Sequence, residues 1–175
     1  MKYVFIIAAF NALFFAVLLL QKKPKALNDR ILFYWLIYLG IFTALYAFSD
    51  KQPLVGIKHI PVFIISMFLL HGPFLYLYVA SFASANRKFS QSAILHFVPF
   101  FSFLLYLIVS LAFPDYAERI RMDHVTIHEK PPVIFVMFLI ITALSGPVYF
   151  AIAFMKIKQI KNSILNNFST TLEIN

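Results

Sequence analysis

The sequence predicts an all-α membrane protein, a polytopic bundle of about five transmembrane helices, and three observations support this fold class. Hydrophobic residues make up 62% of the 175 residues, charged residues make up 13%, and the mean hydropathy is +0.84. Soluble domains carry about 25% charged residues. The uncharged residues also form runs of the length that crosses a bilayer as a helix, about 20 residues for roughly 30 Å of hydrocarbon.

Five uncharged runs account for the predicted transmembrane spans. They are residues 3–20, 31–48, 60–82, 94–113 and 133–155. Together they form one membrane domain, residues 1–155, and residues 156–175 form an amphipathic tail with Ile157, Ile160, Ile164 and Phe168 at helical spacing. The cationic residues that follow the first run favour a retained helix over a cleaved signal peptide.

The basic residues predict the orientation of the chain in the membrane. Nine of the fifteen Lys and Arg residues lie in the first connection, the third connection and the tail, and six lie on the other side. Because cytoplasmic loops carry the excess of Lys and Arg, the N-terminus is predicted outside and the C-terminus in the cytoplasm. The predicted location is the cytoplasmic (inner) membrane. The net charge of +8 lies mostly at the ends of apolar runs, where it meets lipid headgroups, so no direct nucleic acid contact is predicted.

The composition also excludes several kinds of chemistry. The chain has no cysteine, which excludes disulfides, zinc–cysteine sites and thiol catalysis. It has no glycine-rich phosphate loop and no carboxylate within a span, so no catalytic residue and no cofactor are predicted and the chain is not expected to be an enzyme. His124 and His128, beside Asp123 and Glu129, are weak candidates for a metal site, and the prediction is that no metal is bound.

Polar residues in the connections predict local features. Asn28 or Asp29 is expected to cap the second span. In the fourth connection Tyr116, Ile120 and Ile127 are spaced for one apolar face of a short helix on the membrane surface. Thr170 and Glu173 form a capping-box pattern, which is either a coincidence in a frayed tail or the start of a further helix, in which case the chain is a truncated part of a longer protein.

The third span carries the predicted functional site. His71-Gly72-Pro73 lies at its middle, and proline removes one intrahelical hydrogen bond, so this span is expected to be kinked or broken at mid-depth. An ionisable residue within a span marks a functional site, and the alternative for His71 is a neutral, hydrogen-bonded packing residue. Tyr76 and Tyr78 follow the break, where their hydroxyls reach the inner interface or a cavity, or where their rings serve packing alone.

Two further positions complete the candidate residues. Residues 61–70 resemble residues 132–141, and the second run leads to Gly146-Pro147, so a parallel repeat with a second broken helix is one reading and chance similarity is the other. His96, near the cytoplasmic start of the fourth span, is predicted to be an interfacial anchor.

Several of these strings together resemble one family. Residues 28–32 (NDRIL), 71–78 (HGPFLYLY), 96–100 (HFVPF) and 167–169 (NFS) are similar to the N-terminal membrane region of bacterial AraC-type transcriptional regulators. In that family a multi-helix membrane region precedes a cytoplasmic helix-turn-helix domain. The resemblance covers essentially the whole chain, but residues 1–175 contain nothing that could form the DNA-binding domain. DNA binding is therefore implied only for a longer parent chain.

The resulting hypothesis is a membrane-embedded module that senses or transmits a signal for a membrane-tethered regulator of transcription. Its predicted partners are the lipid bilayer and an unidentified ligand or signal, and the sequence allows a homodimer. The alternative is a small transporter or channel subunit with a midplane site at His71 and the two Gly-Pro pairs. A membrane enzyme has the least support.

Overall fold

The computed structural model describes residues 2–24, 26–49, 60–83, 91–120 and 130–172, and these ranges contain helices and no strand. The α-helices are α1 (Lys2–Gln21), α2 (Leu27–Ser49), α3 (Ile60–Met67), α4 (His71–Ala83), α5 (Val98–Leu111), α6 (Pro114–Arg119) and α7 (Val133–Leu172). A short 3₁₀ segment, Phe68–Leu70, separates α3 from α4, and a second, Gln91–Phe97, precedes α5.

Five helical segments of the described chain are long and apolar enough to cross a membrane. They are Lys2–Gln21, Leu27–Phe48, Ile60–Phe82, Ala93–Leu111 and Val133–Leu165. The predicted all-helical fold with five membrane-length segments is confirmed. The helices extend past the uncharged runs at several ends, because polar residues continue a helix once it has started.

Large apolar side chains cover much of the outer surface. Phe10, Phe101 and Phe150 are 65%, 59% and 65% exposed, and many other Phe, Ile, Leu and Val side chains of these helices are also exposed. Such a surface would drive aggregation in water, whereas lipid tails solvate it well. The chain therefore has the features of a multi-pass membrane protein.

The packing order places α4 between two other helices. α1 packs along α2, and α4 contacts both α2 and α7. One buried cluster joins α3, α5 and the start of α7 and consists of Val62, Leu69, Phe103, Leu107, Ile120 and Phe135. Two smaller clusters join α2 to the third span on either side of Phe74. The third span is thus in contact with the second, fourth and fifth spans.

The start of α2 differs from the predicted cap. The helix begins at Leu27, so Asp29 lies in its first turn, where its carboxylate accepts a hydrogen bond from the Ala26 N–H at 3.0 Å. The same carboxylate pairs with the Lys22 ammonium at 2.7 Å. An acidic residue at this position satisfies a free amide and faces the positive end of the helix. Asp29 therefore caps α2 from within the helix and ties it to the end of α1.

The predicted surface helix in the fourth connection is present only in part. α6 is short, and Tyr116 within it is 50% exposed. Ile120, directly after α6, is 1% exposed because it packs in the cluster with Val62 and Phe103. The apolar face therefore turns into the bundle at Ile120. Ile127 lies outside the described residues.

α7 runs without interruption through Gly146 and Pro147, so the structure does not have the second broken helix that one of the two readings of the repeat includes. A single proline removes one backbone donor, and a long helix continues past it on the remaining hydrogen bonds. α7 also crosses the predicted boundary between residues 155 and 156, so the span and most of the tail are one helix. Glu173 of the predicted capping box lies outside the described residues.

Candidate functional site

The third span is interrupted just before its Gly-Pro pair. The 3₁₀ segment ends at Leu70, and the backbone N–H of the next residue, His71, is bonded to the Phe68 carbonyl, three residues back, and not in the four-residue α pattern. Pro73 has no N–H, so the Leu69 carbonyl also loses its α-helical donor. Buried carbonyls need other partners in an apolar layer. The span thus has a short 3₁₀ segment just before the Gly-Pro pair, where the sequence predicts a kink or a break, and is α-helical on both sides of it. We call Met67 to Pro73 the joint.

Tyr38 of α2 supplies a partner for the joint. Its hydroxyl lies 2.8 Å from the Met67 carbonyl oxygen and is also hydrogen-bonded to Nδ1 of His71. A tyrosine hydroxyl has one hydrogen, and the carbonyl can only accept, so we assign that hydrogen to Met67 and infer that Nδ1–H of His71 donates to the Tyr38 oxygen. Tyr38 is 7% exposed. His71 is therefore a hydrogen-bonded residue that links the joint to α2.

Aromatic rings surround His71 on this side. The His71 ring centroid lies 5.1 Å from that of Tyr38 and 5.2 Å from that of Phe42, both edge-on, and 5.6 Å from the stacked ring of Phe68. Edge-on rings at these distances are favourable contacts. The imidazole is thus held by packing as well as by its hydrogen bond.

On the other side of the joint, Tyr149 of α7 lies directly over Gly72. A Cβ atom added to Gly72 would lie 2.9 Å from Cβ of Tyr149 and closer still to two of its ring carbons. Carbon atoms approach to about 3.5–4.0 Å at optimal contact. Only glycine leaves room for this approach, so Gly72 sets the distance between α4 and α7.

Tyr149 also connects the joint to the start of the fourth span. Its hydroxyl lies 3.1 Å from Nδ1 of His96 and 3.4 Å from the His96 carbonyl oxygen. The Tyr76 ring lies 4.8 Å from the His96 ring and 6.4 Å from the Tyr149 ring. His96 is therefore engaged inside the bundle with Tyr149 and Tyr76, a role that the prediction of an interfacial anchor does not include.

The structure thus brings together most of the predicted site residues but not all of them. His71, Gly72, Pro73, Tyr76 and His96 lie in one continuous set of contacts. The Tyr78 ring instead lies 6.1 Å from Trp35 and 5.1 Å from Phe82, where it serves packing. A Cβ atom on Gly146 would meet nothing within 4 Å, so the second Gly-Pro pair makes no comparable close contact.

Sequence reasoning missed Tyr38 and Tyr149, the two residues that hold the joint. A hydroxyl in the middle of an apolar run needs a hydrogen-bond partner when it is buried, and both tyrosines stand in such runs. That signal could have selected them as candidates. It could not have paired Tyr38 with His71 or Tyr149 with His96, because the pairing depends on which helices are neighbours.

No metal centre is found in the described part of the chain, which holds no group of three or more His, Cys, Asp or Glu residues suited to one. His124 and His128, the weak metal candidates, lie outside the described residues. No protein-family model, no curated protein and no solved structure matches the chain.

Proposed function

We propose that this chain is the membrane-embedded sensory and signal-transmitting module of a membrane-tethered AraC-type regulator of transcription, located in the cytoplasmic membrane with its C-terminus in the cytoplasm. The sequence strings that resemble this family support the assignment to regulators. The distribution of Lys and Arg supports the orientation. DNA contact is assigned to a domain of a longer parent chain and to none of residues 1–175.

The observation that carries the signalling part is the contact of Tyr149 with Gly72. It connects the interrupted helix of the bundle to α7, the helix that leads into the tail. From Tyr149 to Leu172 the helix has neither Gly nor Pro and extends about 35 Å at 1.5 Å per residue. A displacement of Tyr149 is therefore transmitted to the tail along one continuous helix.

In this mechanism a ligand or a state of the membrane favours one arrangement of the joint. The shift requires that the signal binds or stabilises one arrangement more strongly than the other. The joint suits such a switch because the His71 N–H is bonded to the Phe68 carbonyl, and the Met67 carbonyl, its α-helical acceptor, is bonded to the Tyr38 hydroxyl. One side-chain hydrogen bond between helices is worth about 0.6 kcal/mol on average.

The test is the transcriptional output of the parent gene. The DNA that follows codon 175 is expected to encode an in-frame helix-turn-helix domain. A reporter of its target promoter is expected to change about five-fold or more with Gly72→Ala and to stay unchanged with Gly146→Ala, at matched protein levels. Tyr149→Phe, which keeps the ring and removes the hydroxyl, provides a second variant. A stop codon followed by transporter genes would contradict the proposal and favour the transporter alternative.

A further inference from the structure

An apolar groove lies between the end of α4 and the second half of α7. Its volume is about 650 Å³, within the range of ligand pockets. The lining residues are Tyr78, Val79 and Phe82 on α4 and Ile157, Ile160, Lys161, Ile164 and Leu165 on α7. The three isoleucines belong to the face of the tail that the sequence marks as amphipathic. Among the residues that the structure describes, the groove is therefore an apolar trough with one cationic side chain.

The position of the groove along the helices places it at the edge of the membrane. Ile157 follows Val133, the first residue of α7, by about 36 Å at 1.5 Å per residue, which exceeds the roughly 30 Å of the hydrocarbon core. The opposite wall is the last part of the third span, which ends at Phe82. Lys161 lies one turn beyond Ile157, at the level expected for headgroups.

The charges near the groove indicate which kind of ligand it binds. The described residues that line the groove include no Asp or Glu, and Lys156 and Lys158 stand near Lys161 on the same helix. Clustered lysines just beyond a span attract anionic lipid headgroups. An apolar trough beside a cation matches an acyl chain attached to a phosphate. A second helix of a protein partner would fill the trough but would leave the ammonium unmatched.

We propose that this groove binds one anionic phospholipid, with the phosphate at Lys161 and an acyl chain that runs from there past Ile160 and Ile157 toward the membrane interior. The lipid would bridge α4 and α7 on the side of the predicted cytoplasmic leaflet. The site does not depend on the identity of the chain as a regulator.

Native mass spectrometry of the purified full chain tests this site, with dioleoyl phosphatidylglycerol and dioleoyl phosphatidylcholine as probes. We expect one retained phosphatidylglycerol per chain and weaker retention of phosphatidylcholine. Lys161→Gln is expected to weaken the phosphatidylglycerol affinity about five-fold, and the matched control Lys158→Gln, whose side chain is exposed and does not line the groove, is expected to leave it unchanged. Ile164→Trp, which fills the trough, is expected to reduce binding of both lipids.

Three results would overturn the proposal. Equal losses with Lys161→Gln and Lys158→Gln would mean diffuse attraction to charge, and equal retention of the two lipids would mean adventitious apolar contact. Concentration-dependent dimers of the lipid-free chain that Ile164→Trp abolishes would assign the groove to a second copy. A folded Ile164→Trp variant that keeps full phosphatidylglycerol binding would place the lipid elsewhere.

Discussion

The residues that hold the joint form two tyrosine–histidine pairs on opposite sides of the third span. Tyr38 meets His71 from α2, and Tyr149 meets His96 from α7. A hydrogen bond between helices is worth about 0.6 kcal/mol on average in a membrane protein, and a buried carbonyl left without a donor costs about 1–3 kcal/mol. The Tyr38–His71 pair therefore contributes mainly by satisfying a carbonyl that the interrupted helix leaves without its α-helical donor, whereas the Tyr149–His96 pair joins α7 to the segment before α5.

Removing the Tyr38 hydroxyl tests this role. Tyr38→Phe is expected to lower the free energy of unfolding by about 1 kcal/mol, because the Met67 carbonyl loses the hydroxyl 2.8 Å away. Tyr34→Phe on the same helix is the matched control, since Tyr34 is 57% exposed, and a change of less than about 0.5 kcal/mol is expected. Steric trapping in bicelles measures both values. Equal effects of the two substitutions would contradict the assignment.

The two hydrogen bonds of Tyr38 are predicted to contribute unequally to stability. His71→Leu removes a donor to the Tyr38 oxygen but leaves the bond from Tyr38 to Met67, so we expect a smaller loss of stability than in Tyr38→Phe. The free energies of unfolding of the two variants, measured in the same bicelles, test this order. A larger loss in His71→Leu would mean that the imidazole, and not the hydroxyl, satisfies the joint.

At the scale of the element, the two Gly-Pro pairs show why one helix is interrupted and the other is not. Both pairs stand within long apolar runs, but α7 continues through Pro147 whereas the third span changes to a 3₁₀ segment before Pro73. The two pairs also differ in their neighbours. Gly72 faces Tyr149 at close range, whereas a Cβ atom on Gly146 would meet nothing within 4 Å.

The two glycines therefore predict opposite responses to alanine. Gly72→Ala is expected to destabilise the protein by about 2 kcal/mol, because the added methyl group overlaps Tyr149 and the helices must separate. Gly146→Ala has open space and is expected to be neutral or to stabilise α7 by up to about 1 kcal/mol. Thermal unfolding in detergent ranks the variants. A destabilised Gly146→Ala beside an unchanged Gly72→Ala would refute the packing of α4 on α7.

The same comparison shows what the sequence could predict. The five spans follow from composition, which acts within one segment. Proline chemistry alone does not predict the 3₁₀ segment before Pro73, since Pro147 lies within a continuous helix. Three other features depend on which helices are neighbours. They are the pairing of Tyr38 with His71, the burial of Ile120 and the continuity of α7. Apolar runs specify that a helix enters lipid but carry little information on the helix beside it.

At the scale of the whole molecule, the proposed orientation places the two ends of the fifth span on opposite sides of the membrane. The chain has no cysteine, so single cysteines introduced at exposed positions report on accessibility. In spheroplasts, a membrane-impermeant maleimide is expected to label Asp115→Cys and to spare Gln159→Cys until the cells are lysed. Labelling of position 159 in intact spheroplasts would contradict the proposed orientation.

The central claim is that the joint and α7 behave as one energetic unit through Gly72 and Tyr149. A double-mutant cycle of Gly72→Ala with Tyr149→Ala, measured as free energies of unfolding in bicelles, tests it most directly. The matched control cycle combines Gly146→Ala with the same Tyr149→Ala, because a Cβ atom added to Gly146 meets nothing within 4 Å.

We expect the double variant Gly72→Ala, Tyr149→Ala to lose less free energy of unfolding than the two single variants lose in sum, by about 1 kcal/mol or more. The reason is that removal of the ring relieves most of the overlap with the new methyl group. The Gly146 cycle is expected to be additive within about 0.5 kcal/mol. Additive effects in the Gly72–Tyr149 cycle would show that the joint and α7 are not coupled through this contact.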